Sequence, residues 1–571
     1  MTGKIGVGRI AAGAAVLALC LGGACGAAAG GGYVVDQSRP SADDTNPGSE
    51  DKPFKTIQRG ADAAQAGDTV CVMEGNYAER VAIKTSGAEG KPVVFQAVPP
   101  RSVQMLGFDV GGHSHLRLEG FRITSRKKSE KVWGVAIGKT SRNVEVTDCT
   151  LEDIYGGVSG QGTGVHVAYC RLYQTQQGLN VNGEKWLIEN NDLERQFMHA
   201  GGDCDYSRMW GKGHVVRFNH YHGTFRKEVG QAHLDCVQTY NLKKDDPATC
   251  LQDLLFEYNV CSSFSQGFMV STSTPGAMAR MTFRHNIFWM GQGWDGGATG
   301  LSLSPVSNAE LTNNTFAWIV WYGVRNTQGA GSVMNNNLFY RMAVPYTKGP
   351  DFAGKKNLVF DCKESPKSAG EGEVVAGDPR LTDPNAGNVR LAKGSAAIGA
   401  GTDGAAVGAL EYPNVYYVDP RHPGASDEGF GYAGWPYKTA AKALAVAQSG
   451  ETVVLRGGVY RETLKPASDG VTIRAMKGEK VLVSGADLVE GWKRTDKGWV
   501  APLAAAPRRP LCDGQPWTEF SYDAAAKTIT VKAGGDPRLH VFETVVRTVA
   551  TDLAGRKDVK VEGIEAVNTA P

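Results

Sequence analysis

One column of residues restricts this chain more than any other feature. Cys149, Cys170, Asn191, Asn219, Asn259, Asn286, Asn314 and Asn337 recur at spacings of 21, 21, 28, 40, 27, 28 and 23. Two residues after them stand Leu151, Leu172, Leu193, Tyr221, Cys261, Phe288, Phe316 and Phe339. Each unit holds short β-branched or apolar runs divided by turn residues, without helical periodicity. A repeat of about 20–30 residues with that texture is the signature of a solenoid of stacked coils. The reading is an all-β chain folded as a parallel β-helix, with coils about 4.8 Å apart. Equivalent side chains then stack, and the asparagines bond to one another at a turn.

The spacings of 28 after Asn191 and 40 after Asn219 exceed the shortest coil by 7 and 19 residues, which predicts long loops on two adjacent coils. Those loops carry Asp203-Cys-Asp-Tyr-Ser-Arg208 and His233-Leu-Asp-Cys-Val-Gln238. Asp203 and Asp205 lie 12 and 14 residues after Asn191, while His233 and Asp235 lie 14 and 16 after Asn219. The two clusters therefore fall at nearly the same place on the coil. Strand alternation directs Leu234 and Cys236 inward, so His233 and Asp235 should face solvent, as should Asp203 and Asp205 around Cys204.

Strings near the start return later. Tyr33-Val-Val-Asp36, Pro53-Phe-Lys-Thr56, Gly67-Asp-Thr-Val70 and Gly75-Asn-Tyr-Ala-Glu79 reappear as Tyr416-Tyr-Val-Asp419, Pro436-Tyr-Lys-Thr439, Gly450-Glu-Thr-Val453 and Gly458-Val-Tyr-Arg-Glu462, all displaced by 383 residues. The chain is an internal duplication. Alanine-rich segments from Lys55 to Ala66 and from Lys438 to Ser449 predict a short helix capping each module. These strings resemble the opening of secreted proteins of the pectate-lyase-like right-handed β-helix superfamily, and Gly377-Asp-Pro-Arg-Leu381 with Ala397-Ile-Gly-Ala-Gly401 resembles the way such helices end. The resemblance implies right-handed coils and activities spanning polysaccharide lyases, glycoside hydrolases, epimerases and non-catalytic surface proteins. The Arg-x-Pro-x-x-Arg string of pectate lyases is absent, as are the Asn-Thr-Asp and Gly-His-Gly strings of polygalacturonases.

The domain reading is a secretory signal over residues 1–29, a β-helix module over 30–411 and a second module over 412–571. Met1 to Ala29 carries Lys4 and Arg9, an apolar run from Ile10 to Leu21 and the small-residue sequence Ala27-Ala-Ala29, too short to span a bilayer. A lipid-modified Cys25 is the lesser alternative, so a secreted or periplasmic location without a membrane span is expected. In module two, Val559-Lys-Val-Glu-Gly-Ile564 matches Leu116-Arg-Leu-Glu-Gly-Phe121 with about 60 extra β-rich residues between Trp492 and Pro537. Module two thus reads as a cap, an insert and barely one coil: a truncated or fragmentary module without activity of its own.

Removing residues 1–29 leaves 59 basic against 59 acidic side chains, which argues against a nucleic-acid partner. Nine of the eleven cysteines remain, so one at least is unpaired, and Cys149, Cys170 and Cys261 read as core thiols. A monomer acting on a polysaccharide is expected. For a uronate-containing glycan, His233 or Tyr206 could take the proton beside the carboxylate while Arg208 neutralises that carboxylate. A hydrolase would instead pair carboxyls among Asp203, Asp205 and Asp235, and the same three could hold calcium. Tyr206, Trp210, Arg217, Arg226, Lys227, Gln238 and Gln266 are the expected substrate-binding groups, with Asn182, Trp294, Trp318 and Trp321 as further groove-lining candidates. Lyase stands ahead of hydrolase, and a non-catalytic binding or adhesive β-helix is the rival from another class.

Overall fold

The computed structural model describes residues 31–571 except 126–129, 243–248, 273, 275, 291–297, 304, 350, 367–368, 497, 532–534, 554 and 570–571. The expected signal segment, Cys25 and Trp294 lie outside the described residues. Two compact units emerge among the described residues: one runs to Ala443 and takes in Gly450–Thr452, the other holds Leu444–Ser449 and the chain from Val453 onward.

The first unit is a right-handed parallel β-helix whose strands join one 33-stranded hydrogen-bonded system running from Gly32–Val35 to Val374–Val375. The asparagine column is its axis. Each amide Nδ2 and each backbone N–H donates to the Oδ1 of the next member, from Asn191 through Asn219, Asn259, Asn286, Asn314 and Asn337 to Asn357, at 2.9–3.2 Å. The file runs one coil further than the sequence reading placed it. Every Nδ2 also reaches a main-chain carbonyl, such as Val216 O from Asn259 at 2.9 Å. All seven are buried, so the network satisfies groups that burial would otherwise penalise. Toward the N-terminus Cys170 continues the file, its N–H donating to Asn191 Oδ1 at 2.9 Å and its thiol to the Val146 carbonyl.

The residue before each ladder position takes a left-handed conformation, including Phe218 at φ 57° and Tyr258 at φ 54°. Such a corner costs a bulky residue roughly 1–2 kcal/mol, and the ladder beside it holds the corner in place. Inside, Phe288, Phe316 and Phe339 stack at 5.1 Å with nearly parallel rings. Gly267, Gly300 and Gly323 face those rings, where an added Cβ would come within 2.5–2.6 Å of a ring carbon. The helix Ile57–Ala63 caps the first coil, its N-terminus held by the Thr56 hydroxyl, which accepts from Arg59 N. The duplicate segment is helical at Ala440–Val446. Cys149, Cys170 and Cys261 are free and buried, as the column implied.

Within the expected closing segment, Leu381–Asp383 and Asn388–Leu391 form an antiparallel hairpin. One boundary differs from the sequence reading. Residues 412–443, expected to open module two, pack with module one instead. There Arg390 lies between the Tyr416 and Tyr432 rings at 4.2 and 5.2 Å, and Tyr432 Oη accepts from Val389 N at 2.8 Å. Apolar Val260, Ile287, Leu338 and Leu358 point outward in one register file, with Thr315 between Ile287 and Leu338, and Val389, Leu391, Val407, Ala409 and Tyr432 cover them. The second unit holds the expected parallel start, Gly458–Tyr460 beside Val481–Ser484 beside Ile564–Val567, and a mainly antiparallel insert between. Among the described residues no helix is long and apolar enough to cross a membrane.

The ladder yields a direct test. Replacing Asn259 with alanine strands the Asn219 amide and the Val216 carbonyl in a dry interior, and each stranded group costs about 1–3 kcal/mol. Asn259→Ala should therefore lower the unfolding free energy by at least about 2 kcal/mol in a denaturant titration; a loss below about 0.5 kcal/mol would mean that the file is not what holds the coils.

Candidate functional site

The two long loops meet as their spacings imply. Strand β1 (Asp205–Lys212) pairs in parallel with β2 (Asp235–Tyr240), Arg208 opposite Gln238, and β2 pairs with β3 (Gln266–Ser271), Asp235 opposite Gln266. The backbone joins the clusters twice: Cys204 N donates to His233 O at 3.0 Å and Asp235 N donates to Asp205 Oδ1 at 3.1 Å. The loop before β1 is laced to the coil below, where Gln176 and Gln177 Nε2 donate to Asp203 O at 3.1 and 3.0 Å. The loop before β2 folds into a short helix, Arg226–Val229, and Glu228 of that helix pairs with Arg195 at 2.7 Å.

Alternation is as expected: Leu234 and Cys236 lie in the core and Asp235 points the other way. Exposure is not. Asp205 and Asp235 are both 0% accessible, because the side chains of their own strands roof them. Arg208 Nε donates to Asp205 Oδ2 at 2.7 Å, and Gln238 Nε2 lies 3.4 Å from Asp235 Oδ2. Alternation sets the direction of a side chain, whereas exposure depends on what lies above it. The outer layer of the site is Asp203, His233 and an edge of Arg208. The Arg208 side chain is 19% exposed and that of Asp203 45%, and they meet at 3.3 Å through Arg208 Nη2. His233 is exposed.

Burial dominates the electrostatics. It pushes the Asp205 carboxyl up to about 6 against the opposing pull of Arg208. It pushes Asp235 well above the carboxylate range, and the neighbouring Asp205 charge adds to the rise. Among the described residues Asp235 Oδ1 is buried without a hydrogen-bond partner. The pair thus holds a proton that two exposed aspartates would have lost. Calcium fits this set poorly: Arg208 occupies oxygens of Asp203 and Asp205, and Asp235 favours its neutral form, while calcium wants several free carboxylate oxygens.

Several expected substrate-binding groups lie elsewhere. Tyr206 is inside, its hydroxyl donating to His222 O at 2.9 Å and lying 2.7 Å from Thr224 Oγ1; burial raises its pKa well above the phenol range, so it is no base. Trp210 is buried with Nε1 donating to Tyr240 O at 2.7 Å. Arg217 belongs to another strand and pairs with Glu189 at 2.7 Å. Arg226 donates to Ala232 O at 2.7 Å, bracing the loop, and Lys227 sits over the Phe225 ring at 5.8 Å. Gln238 is buried against Asp235, and Gln266 is half-buried in the register position above it. Asn182 is half-buried in register with Trp210, Trp318 carries Arg341 over its ring at 5.1 Å, and Trp321 is 55% exposed. Sequence reasoning missed Gln176 and Gln177, and also Tyr155, which is close enough for Arg208 and Asp205 to act on its phenol. Coil register one unit down would have found the two glutamines, and two units down Tyr155.

A family model described as a protein of unknown function (DUF1565) matches residues 41–84, around the cap. An uncharacterized protein, YwoF, of Bacillus subtilis (strain 168) is 38% identical over 71 residues, 12% of this chain; the chain spans 15% of that relative's length. Similar solved structures include a PL6 family alginate lyase (16% identity, 75% of this chain and 67% of that one, TM-score 0.41). A pectate lyase gives 15% identity, 67% and 96% coverage and a TM-score of 0.45. A GH136 lacto-N-biosidase from Eubacterium ramulus gives 14%, 59%, 68% and 0.40. Likeness at this level assigns no residue of the site.

The carboxyl pair predicts a pH signature. For an acid whose folded pKa is raised, the folded chain keeps a proton that the unfolded chain releases near pH 4, so this contribution to stability falls as pH rises through about 6 for Asp205 and further for Asp235. Asp235→Asn fixes the neutral form. Between pH 5 and 8 the wild type should lose at least about 1.4 kcal/mol more unfolding free energy than the variant; parallel pH profiles would show that Asp235 is not held protonated.

Proposed function

We propose that this protein is an exported enzyme that cleaves a uronate-containing polysaccharide by β-elimination at the cluster of Arg208, Asp203, His233, Asp205 and Asp235. The observation that carries the reading is the asymmetric hold on Arg208. Its Nε is fixed from beneath by buried Asp205 at 2.7 Å, while its Nη2 makes only a 3.3 Å contact with half-exposed Asp203. A uronate carboxylate can take the place of Asp203 at Nη2, exchanging one anion for another, with the guanidinium already oriented. Protonated Asp235 keeps the cluster from carrying a further negative charge against that anion.

In this scheme Arg208 neutralises the substrate carboxylate and makes the adjacent C–H acidic, and His233 removes that proton. The electron pair left on carbon forms the new C=C bond as the C–O bond to the neighbouring sugar breaks, and the departing oxygen takes up a proton. Asp205 and Asp235 do not touch substrate; they are positioning residues beneath Arg208. Hydrolysis by paired carboxyls is less favoured because Asp205 and Asp235 are both sealed from solvent, leaving Asp203 as the carboxyl a sugar could reach. A binding or adhesive role needs no buried protonated pair under a cation.

The discriminating experiment incubates the protein with acidic and neutral polysaccharides and follows both unsaturated-product absorbance and reducing ends. Unsaturated products from an acidic glycan are expected. His233→Ala should lower the rate at least about a hundredfold, the low end of a general base's contribution, while unfolding free energy stays within about 0.5 kcal/mol because the side chain is exposed. Reducing ends without unsaturation would transfer the assignment to a hydrolase; binding without cleavage would end the catalytic reading.

A further inference from the structure

A second cluster lies on a different face of the same coils, across the core from Asp205. Asp192 and His220 follow the ladder residues Asn191 and Asn219 directly and pair in register on adjacent strands, and His222 stands two residues on, pointing the same way. In the coils above, the position is occupied by Val260, Ile287, Thr315, Leu338 and Leu358. Two imidazoles and a carboxylate thus sit at the end of a stripe that is apolar but for Thr315. His222 Nε2 is 2.9 Å from Asp192 Oδ1 and His220 Nδ1 is 3.6 Å from the same oxygen. One ligand atom from each of the three residues falls within 4.8 Å of the others.

Two observations set this group apart from an ordinary hydrogen-bond network. Among the described residues His220 Nδ1 is buried without a hydrogen-bond partner, the 3.6 Å to Asp192 Oδ1 being too long for one, a cost a native interior seldom tolerates. The covering chain also approaches at Gly424, where an added Cβ would lie 2.4 Å from Asp192 Oδ1, so the backbone comes as close to the carboxylate as a glycine permits. His422 is not a ligand, since its Nδ1 accepts from Gly424 N at 3.1 Å and its Nε2 faces Phe218 O at 3.3 Å.

We propose that Asp192, His220 and His222 bind a divalent transition-metal ion of the zinc class. Bonds of about 2.0–2.2 Å in tetrahedral geometry separate ligand atoms by about 3.3 Å, which the two measured separations bracket. Two imidazoles and one carboxylate select a borderline cation over calcium and leave a fourth position for water or another ligand. One rearrangement is required. The two rings now stack at 3.8 Å and 13°, and His220 is clamped on its other face by Trp435 at 4.8 Å. His222, whose side chain is 25% exposed, is the ring with room to turn its lone pair toward the ion, while the trapped Nδ1 of His220 gains the partner it lacks.

The test uses the full chain stripped with EDTA and titrated with Co2+, then with Zn2+ in competition. One equivalent should bind with the visible ligand-field bands of nitrogen-coordinated cobalt and be displaced by Zn2+ but not by Ca2+. His222→Gln should weaken binding by more than about tenfold, the low end of what loss of even an outer partner costs. His540→Ala, in the separate Cys512, Asp513 and His540 group, should leave that equivalent unchanged. On the wild type, Zn2+ should protect His222 from diethyl pyrocarbonate in peptide mapping, which localises the ion whatever the variants do. Failure to retain a metal, unprotected His222, preferential displacement by Ca2+, or loss of the equivalent in His540→Ala would each overturn the site.

Discussion

The buried file of asparagine amides is the interaction on which the rest depends. A solenoid coil has no intrinsic reason to stop after a given number of residues, and its corners demand left-handed backbone at residues as bulky as Phe218 and Tyr258. An amide that must donate upward, accept from below and also reach a carbonyl fixes the corner and the register at once, because a slip of one residue would strand all these groups in a dry interior. Coils of 21 or of 40 residues then superpose at the ladder regardless of length. The surplus is expelled between the strands, in part just before Asp205–Lys212 and Asp235–Tyr240.

That expulsion creates the electrostatics of the Asp205 site. Register places Asp205 and Asp235 one above the other, where no loop flexibility can separate them, and the roof of Arg208 and Gln238 removes water. Two like charges in low dielectric cannot both persist, so one carboxyl stays protonated and the other is stabilised by the guanidinium. The same geometry that strains the pair orients the cation above it. Stability is thus spent locally, at a place the ladder can hold.

On the other face the outward stripe from Val260 to Leu358 is apolar except for Thr315, and residues 389–435 lie over it. This explains why residues 412–443 belong with the first unit although their sequence repeats its start. Where the stripe ends, at His220 and Asp192, the covering chain meets polar ligand atoms in place of methyl groups. Tyr206, whose hydroxyl reaches from the strand of Asp205 to His222 O, crosses the core between the two faces.

The sequence alone determined the coil period, the asparagine file, the superposition of the two loops and the inward course of Leu234 and Cys236, because each follows from spacing and the two-residue period of a strand. It also determined the duplication, by identity at a constant displacement. Tertiary structure alone decided that Asp205 and Asp235 are sealed, that Tyr206 and Trp210 face the interior, and that Arg217 serves an ion pair elsewhere, because burial depends on which side chains from other coils lie above a position. It likewise decided that Asp192, His220 and His222 converge. Asp192 stands 28 residues from His220 in the chain, and only the ladder, by stacking coils of unequal length, brings them to one point.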